Sequence, residues 1–396
     1  MAASLPHVSR RRADVAYIAA LAVAVTVLAL LGVLQLRIEK LGADDFSRIW
    51  TGSRAFLSGA DPYDATTWAE TAVRVGADPG DTAVYLYPPW VVLALLPLGV
   101  LQVRVASVVW TVTGLVAAVV AVRALLRTCL PELDFAHGLV GLMLVISAPA
   151  TVTLLTGQWT FFFVATLAAI VLCLRARRPT AAGLLMVVFL FKPPLFVFTS
   201  AALAVRALWP RGADPRTGRR FALVALGAGI ATVTVSWLIV PSWWPAWLEH
   251  VAAVQLAIEP VTLQTLLIRL VGPSGGWIAA PVLLVMVAAA LQFDPRGDGW
   301  LPVWFALSSV GVVYSNTYDL LLLVVPLVLA AGASDSRWRA SLVIVVGAVL
   351  LIIVMWYLHT TDARGYAAGV ALLAFVVITA ALWPERRRSR SASPPR

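Results

Sequence analysis

The residues best suited to chemistry stand in a hydrophilic stretch from Arg37 to Tyr87, within a chain that is otherwise mostly apolar. This stretch holds eight of the chain's 20 carboxylates: Glu39, Asp44, Asp45, Asp61, Asp64, Glu70, Asp78 and Asp81. Its turn-forming and aromatic residues fall in three phrases, Gly42-Ala-Asp-Asp-Phe46, Gly59-Ala-Asp-Pro-Tyr-Asp64 and Tyr85-Leu-Tyr-Pro-Pro-Trp90. A transporter seldom places so much polar sequence directly after its first helix. An enzyme acting on a lipid-linked substrate does, because a carboxylate that accepts protons must stay hydrated at the bilayer surface.

A second signal lies inside the apolar sequence. Of 30 basic residues only Lys40 and Lys192 are lysine, and Lys192 stands within an apolar segment. A charge there is costly unless it faces a polar cavity. Pro193 and Pro194 break the helix at that point and free nearby carbonyls. The expected counter-ion is a lipid phosphate; the alternatives are a lysine that snorkels to the interface or pairs with an internal carboxylate. Arg269, shortly before Gly275-Gly276, is the second phosphate candidate and equally suits the surface of an interfacial helix. Tyr318-Asp319 opens a late helix, where Asp319 serves either as a cap or in a site. Gln158 and Gln264 fit sugar hydroxyls or helix–helix hydrogen bonds equally well. Asp61 and Asp64 flank Pro62 as turn formers, and Trp243, Trp244 and Trp247 read as an interfacial aromatic belt. His137, His250 and His359 show no metal-ligand spacing, so no metal site and no cofactor is expected.

The elements that must position these residues are membrane helices. The chain is 61% hydrophobic and 13% charged, which excludes an ordinary soluble domain. The net charge of +10 sits in short arginine clusters between apolar runs, the positive-inside pattern, so nucleic acid is not an expected partner. Placing those clusters inside gives an all-α, polytopic fold of about twelve crossings, both termini cytoplasmic. Helix 1 spans about 13–36 as a retained signal anchor. Residues 37–101 form a large first extracytoplasmic loop in which Pro88–Leu101 lies along the outer interface as a short, interrupted helix. Crossings are expected near 105–126, 138–156, 159–174, 221–240, 276–292, 301–315, 319–333, 340–358 and 366–383, with 180–207 as two short segments meeting at Lys192-Pro193-Pro194. One polytopic domain thus covers 1–384, and 385–396 forms a disordered basic tail. Cys129 and Cys173 fall near cytoplasmic helix ends, where a disulfide is not expected.

In this threading the polar motifs converge on the outer face, where nucleotide sugars are absent, and no nucleotide-binding motif is present. An activated substrate would arrive attached to a lipid. The ordered motifs Asp45-Phe46, Gly59 with Pro62-Tyr63, Tyr87-Pro88-Pro89, Gly157-Gln158, Lys192-Pro193, Gln264-Thr265 with Arg269, and Tyr318-Asp319-Leu320 resemble those of glycosyltransferase family 87. That family comprises polyprenol-phosphate-mannose-dependent mannosyltransferases of the GT-C superfamily, and the resemblance runs over roughly residues 42–325. Thr265 stands where Ser is usual, and Trp159 where a small polar residue is common.

The resemblance implies a GT-C fold and a loop aspartate as catalytic base, Asp45 with Asp44 as its substitute. From their own types and positions, Lys192 and Arg269 are the expected donor-phosphate contacts, and Gln158, Gln264, Tyr87, Tyr318 and Asp319 the expected sugar or acceptor contacts. The expected activity is inverting transfer of mannose from a polyprenyl phosphate to a lipid-linked or cell-envelope glycan at the plasma membrane. The competing readings are a decaprenyl-phosphate arabinofuranosyltransferase, a flippase for lipid-linked glycans, and a noncatalytic assembly subunit.

Overall fold

A computed structural model describes residues 45–74, 85–209, 215–254, 261–312, 314–361 and 363–391. The expected first helix at 13–36, and Asp44 with it, lie outside the described residues.

The described residues are all-helical, with no strand. The stretch expected to form the first loop contributes α1 (Asp45–Leu57), α2 (Ala65–Arg74), α3 (Pro89–Ala94) and α4 (Leu96–Gly99). Prolines start or interrupt the last two, so Pro88–Leu101 is the interrupted helix its sequence predicts. Asp61 accepts from the Tyr63 amide at 2.9 Å, and Asp64 accepts from the Thr67 amide at 2.8 Å, so both shape the turn that starts α2.

The bundle follows as α5 (Val103–Cys129), α6 (Asp134–Ile146), α7 (Ala148–Thr156), α8 (Thr160–Arg175), α9 (Pro179–Leu185) and α10 (Val197–Leu208). It continues with α11 (Pro215–Ile239), α12 (Trp243–Val254), α13 (Leu263–Val271), α14 (Gly275–Ala290), α15 (Trp300–Gly311) and α16 (Val324–Ala333), and closes with α17 (Arg337–Ala348), α18 (Met355–Thr360) and α19 (Ala368–Ser391). A π-helical stretch, Val349–Val354, joins α17 to α18 without a break. α19 runs on into the segment expected to be a disordered tail.

Three helical spans are long and apolar enough to cross a membrane: Val103–Cys129, Arg216–Ile239 and Arg337–Thr360. The pair α6–α7, bent by 41° at Ser147, makes a fourth if taken as one span. The other apolar helices have 10–17 residues, so a count of twelve crossings depends on helices shorter than an ideal span.

Burial separates the layers. α15 and α16 are apolar on all sides and buried almost throughout, which places them at the centre. α11 lies at the edge: 6% of its apolar window is buried, against 39% for α5. Leu226, Trp237 and Leu238 of α11 stand 53–68% exposed, an apolar surface that suits acyl chains and not water.

The 180–207 segment breaks where the sequence requires. Met186–Phe191 is a 3₁₀ helix, Lys192 leaves the helical conformation at φ −144° and ψ 67°, and Pro193–Phe196 forms a second 3₁₀ turn. Two of the carbonyls near the break are taken up locally, Leu190 O by the Trp90 indole at 3.1 Å and Leu195 O by the Ser308 hydroxyl at 3.0 Å. The break is therefore braced from both sides, and Lys192 is held at its apex.

Candidate active site

Asp45 is the first residue of α1, where the amide ends of the helix favour a carboxylate. The Gln158 side-chain amide donates to Asp45 Oδ2, joining α1 to the turn between α7 and α8. That turn needs Gly157: its φ is +66°, and a Cβ there would lie 2.4 Å from the Phe46 Cβ. The Gly157 carbonyl accepts from the Trp110 indole at 2.8 Å, which fixes the turn on α5. Tyr87 stands beside Gln158 and Asp45 in the same cluster.

Lys192 Nζ lies 2.5 Å from Asp319 Oδ2, a pair whose side chains are 16% and 1% exposed. Lys192 thus has an internal carboxylate as partner, one of those its position in the sequence allows. Asp319 sits in the 3₁₀ turn Thr317–Leu323 that leads into α16, and its Oδ2 also accepts from the Asn316 amide at 2.8 Å. Among the described residues its Oδ1 is buried with no hydrogen-bond partner. Lys192 Nζ also stands 4.9 Å from the Tyr318 ring centroid and 5.6 Å from that of Tyr314. Asn316 donates to the Tyr318 hydroxyl at 2.7 Å.

These groups form one electrostatic cluster. Asp45 feels Arg48, Lys192 and Asp319 directly. Burial is the largest influence on Asp45 and raises its pKa above the ordinary 3.8; the Gln158 amide and the two cations oppose that rise. Arg48 escapes a reading by motif. It lies one turn along α1 from Asp45, a spacing that puts both on one helix face, and its Nε is buried with no hydrogen-bond partner among the described residues.

The strand-like phrase Tyr85-Leu86-Tyr87 is fastened from outside. Its three successive carbonyls face three donors: the His250 ring at 3.4 Å, the Trp247 indole at 3.0 Å, and the Tyr63 hydroxyl. Trp243 and Tyr63 pack in the same aromatic cluster, 5.3 Å apart by ring centroid. At least Trp247 and Trp243 therefore hold the loop on the bundle, a role beyond that of an aromatic belt.

The structure thus brings together Asp45, Tyr87, Gln158, Lys192, Tyr318 and Asp319. It places Gln264 and Arg269 on exposed positions of α13. Gln264 faces Gly276 of α14, and Arg269 packs on the 3₁₀ turn Arg364–Tyr366, 5.8 Å from the Tyr366 ring. The start of α13 does approach the cluster, through the Val261 amide on the Ser315 carbonyl at 2.8 Å.

The model of glycosyltransferase family 87 matches residues 85–314, more than half of the chain. The chain belongs to glycosyltransferase family 87. No curated protein matches it. The matched span of this glycosyltransferase contains Tyr87, Gln158, Lys192 and Tyr314; Asp45 and Asp319 flank it and join the cluster through the fold. Among the described residues of the family 87 chain, no group of three or more His, Cys, Asp or Glu side chains is placed to hold a metal ion.

Gly157 gives a direct test of the Gln158 bridge. Gly157→Ala introduces a left-handed alanine and presses its Cβ on Phe46, next to Asp45. Overpacking of this kind costs about 1–3 kcal/mol. We expect a lower thermal midpoint together with a loss of activity larger than that of Thr156→Ala, which leaves the turn intact. Unchanged activity in Gly157→Ala would detach the Gln158–Asp45 contact from function.

Proposed function

We propose that this glycosyltransferase moves mannose from a polyprenyl phosphate to a hydroxyl of a lipid-linked or cell-envelope glycan, with inversion at the anomeric carbon. The observation that carries the reading is the juxtaposition of a buried, amide-held carboxylate with two cations, Lys192 and Arg48, at one end of the bundle. Asp45 takes the proton of the acceptor hydroxyl as its oxygen attacks the anomeric carbon. The bond from that carbon to the phosphate oxygen breaks, and its electron pair leaves with the polyprenyl phosphate. Negative charge grows on the departing phosphate, where Arg48 and the Asp319-held Lys192 stabilise it. Tyr87, Gln158 and Tyr318 supply hydroxyl and amide partners for the sugar.

The charge distribution supports an extracytoplasmic site at the plasma membrane. The far end of α5 and its neighbours carries arginines from several helices: Arg175 reaches Cys129 Sγ at 3.0 Å, Arg337 pairs with Glu132, and Arg206 holds the Pro295 and Gly297 carbonyls at 3.0 Å. That end suits the cytoplasmic face, which leaves the Asp45 end outside. Incubation of membranes with radiolabelled polyprenyl-phosphate mannose should yield a labelled glycolipid or glycan. Label transferred only from a decaprenyl-phosphate pentose would reassign the sugar, and no transfer from either donor would overturn the reading.

A further inference from the structure

On the side of α1 turned away from Asp45, a cavity of about 370 Å³ opens against the start of α5, lined by Trp50, Arg54, Leu101, Gln102 and Arg104 among others. Arg54 follows Asp45 by nine residues, roughly 180° around the helix and about 13 Å along it. The walls are fixed before any ligand arrives. Trp50 donates to the Leu98 carbonyl at 3.0 Å, Ser53 to that of Val92 at 2.9 Å, and Arg54 to that of Gly99 at 3.3 Å. Gly99 lets α4 approach this closely, since a Cβ there would sit 3.1 Å from both Ser53 and Leu57.

The cavity is positively charged. Among the described residues, neither Arg54 nor Arg104 has a carboxylate partner. The first amides of α5 add to the field, because Gln102 makes no side-chain cap. Directly beyond Arg104 the surface becomes apolar: Val105, Val109, Val116 and Val120 are 48%, 42%, 47% and 62% exposed. Their spacing puts them on one face of α5, a helix of 27 residues whose most apolar 18-residue window has mean hydropathy 2.3. A cationic cup at the end of a membrane-length helix, continuous with an apolar track, matches a molecule with an anionic head and acyl tails.

We propose that this cavity binds the phosphate of an anionic phospholipid, with its acyl chains along the Val105–Val120 track. Two guanidiniums that have no carboxylate partner among the described residues favour a headgroup of net negative charge over a zwitterion. The donor's phosphate belongs elsewhere, because it is bonded to the reacting carbon and must lie near Asp45, on the other side of α1. The bound lipid ties α1 to α5 through Arg54 and Arg104, and so pins the helix that starts at Asp45.

The test uses the full chain in neutral detergent, read by native mass spectrometry of retained lipid and by thermal midpoint, so that it does not depend on transferase activity. Phosphatidylglycerol should be retained over phosphatidylcholine and should raise the midpoint. Each arginine contributes roughly fivefold to attraction of an anionic lipid, so Arg54→Gln with Arg104→Gln should weaken retention about thirty-fold. Arg104→Gln alone should give about fivefold, which keeps the test decisive if the double variant folds poorly. Arg219→Gln with Arg220→Gln on α11 carries the same charge change and should leave retention unchanged. Equal retention of both lipids, or full retention in the Arg54/Arg104 variants, would reduce the site to general lipid contact. Equal stabilisation by inorganic phosphate would make it a small-anion site, and preference for polyprenyl phosphate over phosphatidylglycerol would make it a donor track; either result overturns the proposal.

Discussion

Asp45→Asn should reduce sugar transfer by about 10²–10⁴-fold while leaving the fold intact, the usual loss when a general base is removed. Asn keeps an oxygen for the Gln158 amide, so the contact between α1 and the α7–α8 turn survives the substitution. The pH profile adds a second readout. Asp45 must be ionised to accept a proton, and its pKa is raised by burial above the ordinary 3.8, so activity should fall on an acid limb that lies above that value. The sign for stability runs the other way. A folded pKa above the unfolded one means stability is lost as pH rises through it, so the uncharged Asn should not lower the thermal midpoint at neutral pH. Donor binding measured by lipid retention should stay close to wild type. Near-normal turnover in Asp45→Asn would move the base elsewhere, with Asp44 the first residue to examine.

The Lys192–Asp319 pair should give the largest stability effects. Removing one partner of a buried ion pair costs about 3–5 kcal/mol, because the other charge stays behind unpaired. The two removals are not equivalent. Lys192→Ala strands a carboxylate whose side chain is 1% exposed and whose Oδ1 already has no partner among the described residues. Asp319→Asn leaves a lysine that is 16% exposed, with a flexible stem that can turn toward water. Lys192→Ala should therefore be the more destabilising, and Lys192→Met with Asp319→Leu should recover much of the loss without recovering activity. Denaturation in detergent of Lys192→Ala, Asp319→Asn and the combined Lys192→Ala/Asp319→Asn variant supplies the double-mutant cycle. Additive effects would show that the two charges do not depend on each other.

Much of the helical layout was legible in the sequence, because apolar run length and arginine placement report directly on bilayer geometry. The break at Lys192-Pro193-Pro194 and the interruption after Pro88 follow from proline chemistry alone. α12 was not read as a helix, because Pro241, Pro245 and a dense run of tryptophans interrupt the apolar pattern, and α13 was met only through the interfacial-helix reading of Arg269. In the candidate site, Asp45, Tyr87, Gln158, Lys192, Tyr318 and Asp319 were singled out, but their pairing was not. Lys192 and Asp319 lie 127 residues apart, and no local pattern can join them. Arg48 was missed because exposed loop arginines are common; its position one turn after Asp45 on the same helix was the available signal.

The fastening of Tyr85-Leu86-Tyr87 has a consequence for biosynthesis. Its donors Trp247 and His250 follow their acceptors by 161 and 165 residues. At about 5–20 residues per second, a ribosome takes roughly 8–30 s to supply them after the loop has been made. Throughout that interval the nascent chain carries its carboxylate-rich loop with Tyr63 available for the Tyr87 carbonyl but without the two donors that hold Tyr85 and Leu86. Those donors arrive only once α12 has been made, after the bundle through α11. The fastening of this loop is thus a late event in the chain's own synthesis, completed by a helix that follows a large part of the bundle.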